Sequence, residues 1–88
     1  MSNFIIVHEK DNVATALKDL QKGEEFAGVI LREDIKNGHK FAIKTIDKNQ
    51  LVIKYSEAIA MANKTIYAGE WVHTHNIDGI RARGDKEE

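Results

Sequence analysis

The sequence predicts an all-β domain, closed or partly closed, made of short strands and tight turns. Three observations carry this expectation. A turn motif recurs four times, at Asp19–Phe26, Asp34–Phe41, Thr45–Val52 and Thr65–Val72. In each copy an apolar residue (Leu20, Ile35, Ile46, Ile66) precedes two turn residues, then Gly23, Gly38, Asn49 or Gly69, then a return to apolar sequence. Gly and Asn accept positive φ at low cost, so the shared position is expected to be a left-handed turn residue between two strands. Second, apolar runs of strand length sit between the turns at close spacing. Third, the chain contains no proline, so Gly, Asn and Asp must shape its turns.

Taken in order, Phe4 to Val7 is a continuous apolar run that suits a strand buried on both faces. Between Asp11 and Leu20, Val13, Leu17 and Leu20 fit helical spacing, while Val13, Thr15 and Leu17 alternate with small alanines. The repeat favours a strand entering the first turn. Ala27 to Leu31 reads as a strand with a bulge at Gly28, and Phe41 to Ile46 as another. Leu51 to Tyr55 alternates, with Leu51, Ile53 and Tyr55 on one face. The alanine-rich Ser56 to Asn63 fits a helical turn or a short strand. Trp71 to His75 reads as the last strand, and a charged tail follows. The domain is assigned to residues 3–77 and the tail to 78–88.

Composition excludes several classes. At 88 residues the chain is one small domain. It has no cysteine, hence no disulfide framework and no thiolate metal site. The net charge is -1 and both signs are spread along the chain, so there is no basic stripe for nucleic acid. No apolar run nears the roughly 20 residues of a membrane span. The opening segment lacks a basic leader and a long apolar stretch, which points to a cytoplasmic protein.

Chemistry concentrates in the histidines. On a strand, residues i and i+2 share a face, which would set His73 and His75 about 6.5–7 Å apart along it. Such a pair can share a cation with a third ligand, act as a base and its helper, or simply be solvated. Asn76 adds an amide able to orient an oxygen-rich substrate. His39 follows the turn glycine of the second repeat, where the first and fourth copies carry Glu24 and Glu70. A position that departs from its siblings is a candidate for a local task, and Lys40 beside it could hold a carboxylate. His8 reads as a solvated strand end and Trp71 as a core or interface aromatic. Arg83-Gly84-Asp85 is read as a chance match, and Asn63-Lys64-Thr65 as a glycosylation sequon that meets no glycosyltransferase in a cytoplasmic protein.

Gly38-His39-Lys40-Phe41-Ala42-Ile43, followed by Gly69-Glu70-Trp71-Val72-His73-Thr74-His75-Asn76, resembles the SAF-type small domain of the altronate/galactarate dehydratase family. That family includes sulfolactate sulfo-lyase small subunits. Asp11-Asn12-Val13-Ala14 and Arg81-Ala82-Arg83-Gly84-Asp85 are similar to further family segments, so the likeness runs from about residue 3 to 85. It implies a β-clip fold. It also implies a lyase small subunit that works with a separate large dehydratase subunit on a sugar acid such as altronate, or on sulfolactate, and is inactive alone. A divalent metal, iron or manganese, would be bound mostly by that partner. His73, His75 and His39 would then be catalytic, with His73 and His75 as candidate metal ligands and Lys40 and Asn76 binding substrate. Homo-oligomers are possible within this reading. Ser56 and Ala60 stand where relatives usually carry glycine, and Met61 where a basic residue is common. An alternative is a non-catalytic SAF-type module that binds carbohydrate or stabilises a partner.

Overall fold

The structure is a computed structural model that describes residues 3–80. Its nine strands are β1 (Phe4–Ile5), β2 (Val13–Ala16), β3 (Glu25–Phe26), β4 (Val29–Ile30), β5 (Lys40–Ala42), β6 (Leu51–Lys54), β7 (Glu57–Ala62), β8 (Trp71–Val72) and β9 (Ile77–Gly79). All pair antiparallel, in sheets ordered β1-β2-β5-β8, β3-β4 and β6-β7-β9. The all-β expectation holds.

The four-fold repeat is real at the level of the backbone. Gly23, Gly38, Asn49 and Gly69 have φ of 92°, 87°, 75° and 95°, as expected for the third position of a tight turn. The apolar residues before the turns pair across the molecule, Leu20 with Ile35 and Ile46 with Ile66. The turns also exchange hydrogen bonds reciprocally. Gly23 N donates to Leu31 O (2.9 Å) and Gly38 N to Ala16 O (2.8 Å), while Asn49 N donates to Ala62 O (2.8 Å) and Gly69 N to Ala42 O (2.7 Å). Each acceptor lies four residues before the apolar residue of its own unit. Units one and two thus clasp each other, as do units three and four.

The central sheet separates two cores, because side chains alternate across it. Val13, Ala42 and Val72 face one cluster, with Ile46, Val52, Ala60, Ala62 and Ile66. Ala14, Ala16 and Phe41 face the other, with Leu20, Leu31 and Ile35, and Phe4, Phe26, Ile43 and Trp71 pack against it. Phe4 meets Phe26 and Phe41 edge to face, with ring centroids 5.9 and 6.2 Å apart. Gly69 lets the halves meet: its carbonyl accepts from Arg32 N at 2.9 Å, and a Cβ there would run into the carbonyl oxygen of Ile30.

Several elements differ from the sequence reading. Phe4–Ile5 is an edge strand rather than a strand buried on both faces, and Ile5, Ile6 and Val7 are exposed. Ala27 and Gly28 are no bulge. Both have positive φ, 55° and 75°, and form the two-residue turn of the β3-β4 hairpin. Tyr55 and Ser56 do the same between β6 and β7, with φ of 55° and 67°. The run after Ser56 is strand β7, which carries a bulge: Ile59 is the extra residue between Ala58 and Ala60, opposite Ile53 and Val52. Asp78 and Gly79, assigned to the tail, pair with Met61 and Ala60 as part of β9. The segment Arg81 to Asp85 lies outside the described residues.

Two polar residues latch the β1-β2 connection to the β6-β7 hairpin. Asp11 is 2% exposed and its carboxylate accepts from Ser56 N (2.7 Å) and His8 N (3.2 Å). Asn12 mimics a strand neighbour, accepting from Ile53 N (2.7 Å) and donating to Leu51 O (3.0 Å). Burial pushes the Asp11 pKa up, but amides of Ser56, Tyr55, His8 and Val7 outweigh it and hold the carboxyl below its ordinary value.

Candidate functional site

The four turns share one more device, and one of them has dropped it. In the first, third and fourth, the residue after the Gly or Asn turns its side chain back to the first turn residue. Glu24 Oε1 accepts from Gln21 N (2.8 Å), Gln50 Oε1 from Asp47 N (2.9 Å), and Glu70 Oε1 from Tyr67 N (2.7 Å). His39 holds this position in the second turn. The backbone bond survives, with His39 N donating to Lys36 O at 2.9 Å. Among the described residues, however, no side chain caps Lys36 N. The imidazole instead meets Trp71, whose indole Nε1 donates to His39 Nδ1 at 3.2 Å.

Trp71 gathers all three candidate histidines. Its ring is T-shaped to His39 (centroids 5.5 Å apart), stacked on His73 (4.8 Å, 10° between planes) and tilted against His75 (5.2 Å, 40°). His39 and His73 are themselves 5.6 Å apart. Register explains the arrangement. Trp71 pairs with Phe41 across β5-β8, so it shares that face of the sheet, and its inner edge packs on the Phe41 core. Glu33 Oε2 accepts from Trp71 N at 3.0 Å, tying β8 to the second unit.

The histidine pair comes together by a route other than a strand. β8 ends at Val72, and residues 73–76 form a turn in which Asn76 N donates to His73 O at 3.0 Å. Asn76 closes it: Oδ1 accepts from His73 N (3.0 Å) and Nδ2 donates to Trp71 O (2.8 Å). Only 2% of Asn76 is exposed. Its amide therefore shapes the loop from within, a task different from the substrate contact expected of it. His73 and His75 are exposed, and neither ring makes a hydrogen bond among the described residues.

Lys40 also departs from expectation. Next to His39 in sequence, it pairs with Val72 and Thr15 and so shares their face of the sheet, opposite Phe41 and Trp71. Burial, and then the charge of Lys54, lower its pKa. The cation that does join His39 is Lys36. Asp34, Lys36, His39 and Trp71 line an open depression of about 180 Å³. Asp34 Oδ1 accepts from Lys22 N at 2.9 Å, mirrored by Asp19 Oδ1 accepting from Asn37 N at 2.9 Å. Among the described residues, no three of His, Cys, Asp and Glu stand together as a metal site.

Sequence reasoning missed Trp71, Lys36 and Glu33. The signal for Trp71 was present: it lies two residues before His73, at the first residue after its own turn. Nothing in the sequence alone distinguished Lys36 from the other surface lysines.

Four tight turns pairing reciprocally, with a short sheet between two small cores, define a β-clip domain of the SAF type. Comparison of the sequence makes this specific: residues 2–79 match the altronate/galactarate dehydratase SAF domain, and the chain belongs to that family. It is 41% identical over 80 residues to altronate dehydratase of Bacillus subtilis (strain 168), covering 86% of this chain and 16% of that protein. To altronate dehydratase of Escherichia coli (strain K12) it is 47% identical over 77 residues, 83% of this chain and 16% of the relative. It is also similar to (2R)-sulfolactate sulfo-lyase subunit alpha of Chromohalobacter salexigens, 30% identical over 89 residues, covering 88% of this chain and 95% of that subunit. The chain thus spans about a sixth of the altronate dehydratases it matches. No helix among the described residues is long and apolar enough to cross a membrane.

Proposed function

We propose that this chain is the small subunit of a metal-dependent lyase that removes water from a sugar acid such as altronate, or sulfite from sulfolactate, giving a 2-keto acid. It would work with a separate large catalytic subunit and be inactive alone. The observation that carries the reading is the meeting of His39, His73 and His75 on one tryptophan, within a domain of the dehydratase family. The near-complete match to a sulfolactate sulfo-lyase alpha subunit supports a free-standing small subunit.

The chemistry asks for proton transfer beside a carboxylate. Taking the proton α to that group creates a dianion, and the leaving β-hydroxyl must be protonated as it departs. His73 and His75 suit these steps. Their rings are exposed and not hydrogen-bonded among the described residues, while Trp71 and the Asn76-closed turn fix where they stand. An exposed imidazole on a shallow surface cannot exclude water, so the large subunit would have to cover it.

A divalent metal, iron or manganese, would chelate the acid and spread the developing charge. The residues described here do not form such a site by themselves. The large subunit would hold the metal, with His73 and His75 the ligands this chain could add. Assaying both chains together and apart tests the reading, with H73Q/H75Q as the variant. We expect turnover only from the pair and its loss in the double variant. Full activity without this chain would leave it a non-catalytic module, and an unchanged metal content in the variant complex would remove the histidines as ligands.

A further inference from the structure

We propose that Trp71 is a positioning residue that locks His39 as a hydrogen-bond donor to an oxygen of the acid, an assignment that rests on the dehydratase reading above. The indole Nε1 can only donate, so the His39 Nδ1 lying 3.2 Å from it must accept. A neutral imidazole that accepts at Nδ1 carries its hydrogen on Nε2. Protonating Nδ1 would set one N–H against another and break the bond. Nε2, already bearing hydrogen, has no lone pair for a metal. Trp71 thereby removes His39 from the ligand and general-base roles and leaves it one task, donation through Nε2–H.

The depression beside His39 is walled mostly by apolar surface, and its few polar groups can each be matched by one ligand oxygen. Of the residues lining the depression, Lys36 and His39 offer donors, Trp71 gives an apolar wall, and Asp34 already accepts from the Lys22 amide through Oδ1. A carboxylate matches the first two, and a ligand hydroxyl can donate to the remaining oxygen of Asp34. The three histidines thus divide their work. His39 binds, while His73 and His75, with no such bond on their rings among the described residues, stay open to proton transfer. The turn supports this division, because His39 has given up the cap that Glu24, Gln50 and Glu70 keep.

The chain labelled with ¹⁵N at histidine and tryptophan provides the test. A ¹⁵N–¹⁵N coupling across the hydrogen bond between Trp71 Nε1 and His39 Nδ1 is expected, with the His39 hydrogen on Nε2. A proton on Nδ1, or no coupling, overturns the assignment, and this needs neither a variant nor a partner. With the large chain present, W71F keeps the stacking ring but removes the donor. It should raise KM for the sugar acid about tenfold, the worth of one hydrogen bond, with kcat within about twofold. An active complex whose KM is untouched by W71F also overturns it. A parent complex that turns over neither a sugar acid nor sulfolactate sinks the lyase reading and with it the bound-acid role, while the coupling alone decides whether Trp71 locks the ring.

Discussion

The turns Lys36–His39 and Tyr67–Glu70 share a backbone and differ in what their fourth residue does. Both place a glycine at positive φ in the third position and close with a backbone hydrogen bond from the fourth residue to the first. Glu70 folds back to cap Tyr67 N, whereas His39 reaches out to Trp71. One turn is finished within itself. The other forgoes a local bond to help build a surface. Local rules tend to be broken where something other than stability is selected, which is what singles out the uncapped turn as part of the candidate site.

Changes that strike the turns differently sharpen this comparison. The largest effect is expected at Gly69, where a Cβ meets the Ile30 carbonyl and φ is 95°. Gly69→Ala should cost roughly 3 kcal/mol, combining left-handed strain with overpacking. Gly23, with φ of 92° and open space around it, should lose only about 1 kcal/mol on the same change. Denaturant melts of both variants check the contrast, and equal losses would mean that the fourth turn is not the point where the halves meet.

Next comes Asn76→Ala, which strips the internal partner from His73 N and the donor from Trp71 O. We expect a loss of about 2–3 kcal/mol, together with loss of the stacked His73 signature in ring-current shifts. A loop that keeps its ring stacking without the amide would show that Trp71 alone holds it. Glu70→Ala removes one turn cap and should cost about 1 kcal/mol, a fall of roughly 4–8 °C in Tm for a domain of this size. An unchanged melting point would mean that the caps contribute nothing measurable.

The smallest effect concerns acid. The Asp11 pKa is held below its ordinary value by backbone amides, so its contribution is present above the unfolded-state pKa of about 3.9. It is lost as pH falls through that value toward the lower folded one. Asp11→Asn should therefore flatten the acid side of the stability profile below about pH 4, read by thermal melts across pH. An identical acid slope in the variant would remove Asp11 from the account.

How much of this was legible in the sequence depends on whether local chemistry or side-chain partners decided the outcome. The positive φ at Gly23, Gly38, Asn49 and Gly69 follows from residue type and spacing, and the repeat exposed His39 as the odd member. The hairpin turns at Ala27-Gly28 and Tyr55-Ser56 were not legible, because Ala, Tyr and Ser rarely adopt positive φ and only strand pairing imposes it here. The run Phe4 to Val7 looked like a buried strand because pattern alone cannot tell a sheet centre from its edge. His73-Thr74-His75 read as strand since its period of two fits; the Asn76 amide overrides that period by closing a turn. Trp71 and Lys36 join the site through register and a depression formed by distant segments, which spacing in sequence cannot reveal.

The central claim is that His39 has exchanged a turn cap for a place on Trp71. Urea unfolding of H39E tests it most directly, since this change returns the second turn to the glutamate of the first and fourth. The account predicts a midpoint equal to or above that of the parent, with turnover of the proposed two-chain complex lost. A clear drop in midpoint, or full turnover in the complex, would contradict it.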